Sequence, residues 1–251
     1  MRRAMKRTIS LLILAGMVCL SSTALAGDLI YEVKGKPYQG YWLSAGAGAP
    51  LVILTHDWDG LTGYEMKRAQ MLQAMGYSVF APDLFGQGIR PEKMEDRRQH
   101  TGALYQDRAL LRALMVGGVE AARAAGGNVN NMVVMGYCFG GAAVLELARS
   151  GFAAKGYATF HGGLQTPAGE SWKGIKAPVL IMHGTADDAI TMTDFANLAV
   201  ELENAAVPHE MITYGGAPHA FTVYGSDRYR ADADQKSWAR FGDFLQAATR
   251  N

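Results

Sequence analysis

The chain has 251 residues, 49% of them hydrophobic and 19% charged, with 24 Lys and Arg against 23 Asp and Glu. That length and balance suit one large globular domain and exclude a disordered or fibrous chain. Beyond residue 26 the chain has no basic run, and so lacks the electrostatic footprint of a nucleic-acid partner.

Residues 1–26 begin with Arg2, Arg3, Lys6 and Arg7, continue as an apolar run from Ile9 to Leu20, and end in Ala24-Leu25-Ala26. A basic start, a short apolar core and a small-x-small end form the pattern of a secretory signal peptide cleaved after Ala26. The run is short for a membrane span. The alternatives are an uncleaved anchor, or a lipid anchor at Cys19, which the bulky Val18 disfavours. The expected destination is export, periplasmic in a Gram-negative cell, with no membrane association after cleavage. Loss of those four basic residues leaves 20 basic against 23 acidic, a net charge of −3, and leaves Cys138 as the one cysteine. Exported proteins mostly use cysteine in disulfides. A single thiol has no internal partner, so Cys138 is either a small buried apolar group or a reactive one.

Residues 27–251 alternate strand-like and helix-like segments, which predicts one α/β domain with a mostly parallel central sheet and helices on both faces. Leu29–Val33 and Tyr38–Leu43 read as short strands around a turn. Leu51–Leu54 is a continuous apolar run, typical of a strand buried on both faces. The spacing predicts a helix over Tyr64–Met75, closed by Gly76, and a strand over Tyr77–Ala81. Residues 85–100 are polar and charged and read as a surface loop, with His100 on the surface. Leu104–Ala125 reads as one long helix, Met132–Met135 as a strand and Gly140–Arg149 as a helix. Gly156–Phe160, Pro178–Met182 and His209–Thr213 complete the strands. Thr193–Ala205 and Asp232–Ala247 are the last helices, and His209 is placed on the surface. No repeat, low-complexity tract or linker interrupts the series.

Gly136-Tyr137-Cys138-Phe139-Gly140 stands between a strand and a helix and fits the G-x-nucleophile-x-G elbow. Such a turn crowds the positions two residues either side of the nucleophile, which explains the glycines. It aims the Phe139 N–H and the positive end of the next helix at the space above the sulfur. A nucleophilic thiol needs a base and the base an orienting group. In the order used by this elbow, the acid and then the histidine follow the nucleophile. Asp187 lies in the loop after the Pro178–Met182 strand, and His219 in the loop after the His209–Thr213 strand. That order favours them, with Asp188 an alternative acid and His161 and His183 alternative bases. No histidine or cysteine pair shows metal-ligand spacing, so no metal or other cofactor is expected.

With these residues in place the chain resembles the dienelactone hydrolase family, a branch of the α/β-hydrolases with a Cys-Asp-His triad. The resemblance runs through His56-Asp57-Trp58-Asp59-Gly60-Leu61, Pro82-Asp83-Leu84-Phe85-Gly86, the Cys138 elbow, Phe160-His161-Gly162-Gly163, His183 to Asp188, and His219-Ala220-Phe221-Thr222. It implies a single-domain α/β-hydrolase fold that hydrolyses a small ester or lactone through a thioester. Cys138 would be the nucleophile, His219 the base and Asp187 its partner. The backbone N–H groups of Phe139 and Trp58 would form the oxyanion hole. The family also carries a thiol-activating carboxylate, usually glutamate, where this chain has the shorter Asp57. Some members bind a substrate carboxylate with an arginine shortly after the catalytic histidine; here Thr222-Val223-Tyr224 offers none, and Arg90, Arg97, Arg98, Arg228 and Arg230 are the remaining candidates. The competing readings are a general carboxylesterase or thioesterase on the same scaffold, and a non-catalytic thiol sensor or binding protein.

Overall fold

The computed structural model describes residues 26–250. The expected signal peptide and Cys19 lie outside the described residues, apart from Ala26. Eight strands among the described residues form one sheet: β1 (Ala26–Val33), β2 (Lys36–Leu43), β3 (Pro50–Thr55), β4 (Ser78–Ala81), β5 (Asn128–Tyr137), β6 (Gly156–Phe160), β7 (Val179–Gly184) and β8 (His209–Tyr214). Their spatial order is β1-β2-β4-β3-β5-β6-β7-β8. β1 pairs with β2, and β2 with β4, antiparallel. Every pairing from β4 across to β8 is parallel. The helices are α1 (Gly63–Ala74), α2 (Met94–Gln106), α3 (Arg108–Ala124), α4 (Phe139–Arg149), α5 (Met192–Asn204) and α6 (Ala231–Thr249).

The inner strands are apolar on both faces because helices cover both faces. In β3, Leu51 and Ile53 join a core with Leu111 and Met115 of α3, Val144 of α4 and Leu198 of α5. Their neighbours Val52 and Leu54 point the other way, into a second core with Ala69 and Leu72 of α1 and Phe241 of α6. All four side chains are fully buried, and burial of each contributes about 1.5–3 kcal/mol. At the sheet edge, β1 alternates exposed and half-buried positions instead.

Several expectations need correction. The segment read as a surface loop at 85–100 contains the first half of α2, whose Thr101 and Leu104 are buried. The long helix read over 104–125 is two helices. Asp107 takes a non-helical backbone (φ −107°, ψ 76°), and its side chain accepts the Leu110 N–H at 2.8 Å, ending α2 and capping α3. A side chain that caps competes with continuation of the helix through the same residue. His100, expected on the surface, is half-buried and stacked on Phe85 with ring centroids 5.2 Å apart.

Candidate active site

The end of β5 and the start of α4 meet at Cys138, whose backbone lies at φ 49° and ψ −113°, a region that disfavours a side chain. The turn is tight enough that its two flanking glycines are obligatory. A Cβ on Gly136 would run into the Gly140 carbonyl, and one on Gly140 into the carbonyls of Thr55 and His56 at the end of β3. Cys138 is half-buried and unpaired. Beside it α4 presents its N-terminus, the positive end of the helix dipole.

The loops after β7 and β8 bring the partners in. His219 Nε2 lies 3.1 Å from Cys138 Sγ, and His219 Nδ1 lies 2.8 Å from Asp187 Oδ2. Asp187 is held in turn, its Oδ1 accepting the N–H groups of Ala189 (3.0 Å) and Ile190 (2.8 Å). Burial opposes charge on the His219 ring, but its hydrogen bonds to Asp187 and Cys138, with their charges, push its pKa up to about 10. Burial likewise works against the Asp187 carboxylate, yet the bond from His219 keeps its pKa below the ordinary range. Asp188 is exposed. His183 turns away, its Nε2 bonding the Ile190 carbonyl at 2.9 Å. His161 packs edge-on against the His219 ring without meeting Cys138. Three of the five non-glycine residues with positive φ among the described residues sit here: Cys138, His161 (42°) and Ala220 (62°).

The loop after β3 supplies Asp57 and Trp58. Among the described residues no protein acceptor takes the N–H of Phe139 or of Trp58. Asp57 is buried, and its Oδ1 accepts the Asp59 N–H at 3.1 Å, a loop-capping contact. It makes no hydrogen bond to Cys138 among the described residues. Glu65 of α1 ties the same loop to the helix: its carboxylate accepts from the Thr62 N–H (2.9 Å) and hydroxyl (2.8 Å) and the Asp57 N–H (3.5 Å).

Sequence reasoning missed the wall that α2 and Phe85 build on this site. The Tyr105 ring meets Phe139 edge-on at 5.4 Å, Phe85 stacks on Phe139 at 5.7 Å, and Arg97 lies over the Trp58 ring at 5.5 Å. Buried Thr101 and Leu104, three positions apart, were the signal, outweighed by the charges around them. Of the other candidate arginines, Arg90 is spent on the Leu61 and Ile89 carbonyls, while Arg98, Arg228 and Arg230 are exposed.

The dienelactone hydrolase family profile matches residues 39–249. The chain belongs to the dienelactone hydrolase family. It is an α/β-hydrolase, and the family's members hydrolyse esters and lactones. An Escherichia coli K12 relative named "Putative carboxymethylenebutenolidase" is 25% identical over 245 residues, covering 93% of this chain and 87% of its own. A dienelactone hydrolase-like promiscuous phosphotriesterase from metagenomic libraries has 26% identity and a TM-score of 0.83, over 91% of this chain and 100% of that one. The dienelactone hydrolase of Anabaena variabilis, at 17% identity and a TM-score of 0.68, over 90% and 99% of the two chains, shares the fold.

In this family member the site loop carries a pH-sensitive support. Burial pushes the Glu65 carboxyl, fully shielded from solvent, up to about 7 from an ordinary 4.5, with the Thr62 bonds pulling the other way. A carboxyl that binds its proton more tightly folded than unfolded favours the fold at low pH. Its contribution is lost as pH rises from about 4.5 to about 7. Glu65→Gln is expected to flatten the fall in unfolding free energy over that window by on the order of 2 kcal/mol, as measured by urea unfolding at pH 5 and pH 8.

Proposed function

We propose that the protein hydrolyses small carboxylic esters or lactones through a thioester on Cys138. The observation that carries this reading is the 3.1 Å contact of His219 Nε2 with Cys138 Sγ at a left-handed elbow. The Cys138 proton passes to His219 Nε2, and the sulfur attacks the carbonyl carbon. The carbonyl oxygen takes up negative charge between the N–H groups of Phe139 and Trp58, donors whose loss typically costs about 3–4 kcal/mol of transition-state stabilisation. Collapse breaks the C–O bond, and the leaving oxygen takes the proton from His219. A water that gives its proton to His219 then attacks the thioester. The second collapse releases the acid, and the sulfur recovers its proton. Asp187 holds the imidazole in the tautomer that faces Cys138 and favours its charged form.

Dienelactone is one substrate among several in this reading, because no arginine follows His219 closely. The basic, apolar and small-residue pattern of residues 1–26 supports export, with the activity exerted outside the cytoplasm. Mass spectrometry after brief mixing with an aryl ester tests the mechanism. One acyl group on the Cys138 peptide, removed by hydroxylamine, is expected. Hydrolysis with no adduct at Cys138 under any quench would contradict it.

A further inference from the structure

The segment after β6 touches both halves of the Cys138–His219 pair. The Cys138 N–H donates to the Phe160 carbonyl at 3.1 Å, and the Gly163 N–H donates to the Cys138 carbonyl at 3.3 Å. Between these contacts stands His161, whose own N–H donates to the Met182 carbonyl of β7 at 2.8 Å. Its ring is fully buried and lies edge-on to His219, with centroids 5.3 Å apart and planes at 67°. Its Nε2 is 2.8 Å from Thr222 Oγ1.

Thr222 lies three residues after His219 and is gripped from the other side as well. The Tyr64 hydroxyl is 2.7 Å from the same Oγ1, and buried Arg68 donates to the Thr222 carbonyl at 2.9 Å. Arg68 is itself ion-paired with Asp234 of α6. The loop that carries His219 is thus fixed at one point to α1, to α6 and to the segment that brackets the elbow.

The proton on His161 can be assigned by elimination. Its Nδ1 is buried without a partner among the described residues. An unpaired buried N–H is costly, so the proton sits on Nε2 and is donated to Thr222. Burial, and then charge on His219, His183 and Arg68, keeps the ring neutral, with a pKa well below the ordinary range. A phenyl ring would fill the same space against Tyr137 and Phe221, but only the imidazole also brings a donor to Thr222.

We propose that His161 is a positioning residue, coupling the elbow to the base loop through its Nε2–H···Thr222 bond and setting where His219 meets Cys138. This rests on the Cys138–His219 mechanism above. The test follows the rate of Cys138 alkylation by iodoacetamide against pH, with kcat and KM on an aryl ester, in the full chain. His161→Phe keeps the ring and removes the donor. Thr222→Val removes the acceptor at equal volume. His161→Gln restores a side-chain donor. His161→Phe and Thr222→Val are each expected to lower kcat about tenfold with KM little changed, since small misplacements cost that much. Their alkylation profiles should move toward that of His219→Ala. His161→Gln should recover most of the loss, and the Phe/Val double variant should be no worse than either single one. Wild-type profiles in both folded single variants would overturn the inference, as would equal losses in His161→Phe and His161→Gln, which would leave packing alone. Identical profiles for wild type and His219→Ala would instead overturn the underlying mechanism.

Discussion

Cys138→Ala is expected to leave less than about one-thousandth of wild-type turnover on aryl esters. The variant keeps the Phe139 and Trp58 N–H groups, the His219–Asp187 pair and the shape of the site, so any residual rate measures what binding and the proposed oxyanion donors achieve alone. Alanine tolerates the left-handed backbone no worse than cysteine does, and Cys138 is half-buried with His219 as its one side-chain hydrogen-bond partner among the described residues. The unfolding free energy should therefore stay within about 1 kcal/mol of wild type. Loss of turnover with unchanged thermal unfolding separates chemistry from folding. Turnover near wild type in a pure Cys138→Ala preparation would remove the thiol from the reaction and overturn the thioester mechanism.

Gly140→Ala is expected to have the opposite signature, a loss of folded protein rather than of rate alone. The added methyl would meet the carbonyls of Thr55 and His56, which are backbone atoms of the central strand and its exit. No rotamer change relieves a backbone clash, so the cost should exceed about 4 kcal/mol, a large part of the usual 5–15 kcal/mol of a domain. Gly102→Ala is the matched control. It lies in α2 with ordinary helical backbone and open space around the added methyl, and should be neutral or stabilising by about 0.5–1 kcal/mol. Circular dichroism melts of the two variants read the contrast. A Gly140→Ala protein that melts with wild type would mean that β3 and α4 can separate without cost.

The parts of this fold legible in the sequence share a physical cause. Leu51–Leu54, Met132–Met135 and Pro178–Met182 are strands covered on both faces, and an unbroken apolar run has few other ways to be buried. The elbow is legible because its glycines are demanded by backbone contacts only four or five residues apart in the chain, or directly beneath it. The contact of Cys138 with His219 spans 81 positions, so chain order narrowed the choice among the histidines without measuring the distance. The first half of α2 reads as a loop because only Thr101 and Leu104 of the helix are buried, and the charges around them dominate the local pattern. His161 and Thr222 stand in separate short motifs and Arg68 in none, so nothing local links the three. Their network exists only once α1, α6 and the loops after β6 and β8 converge.

The three left-handed residues at the site bear on how this enzyme can be improved. Each non-glycine residue in such a conformation costs about 1–3 kcal/mol that the surrounding sheet must supply. Selection for heat resistance alone would therefore drift toward glycine or asparagine at Cys138, His161 and Ala220. At the first two it would discard the side chains that face the base, and at the third it would loosen the residue that follows it. A mutant library aimed at durability should hold these three positions constant and vary Lys34 and Ala206, the other non-glycine left-handed sites among the described residues, where the same relaxation leaves the reacting groups untouched.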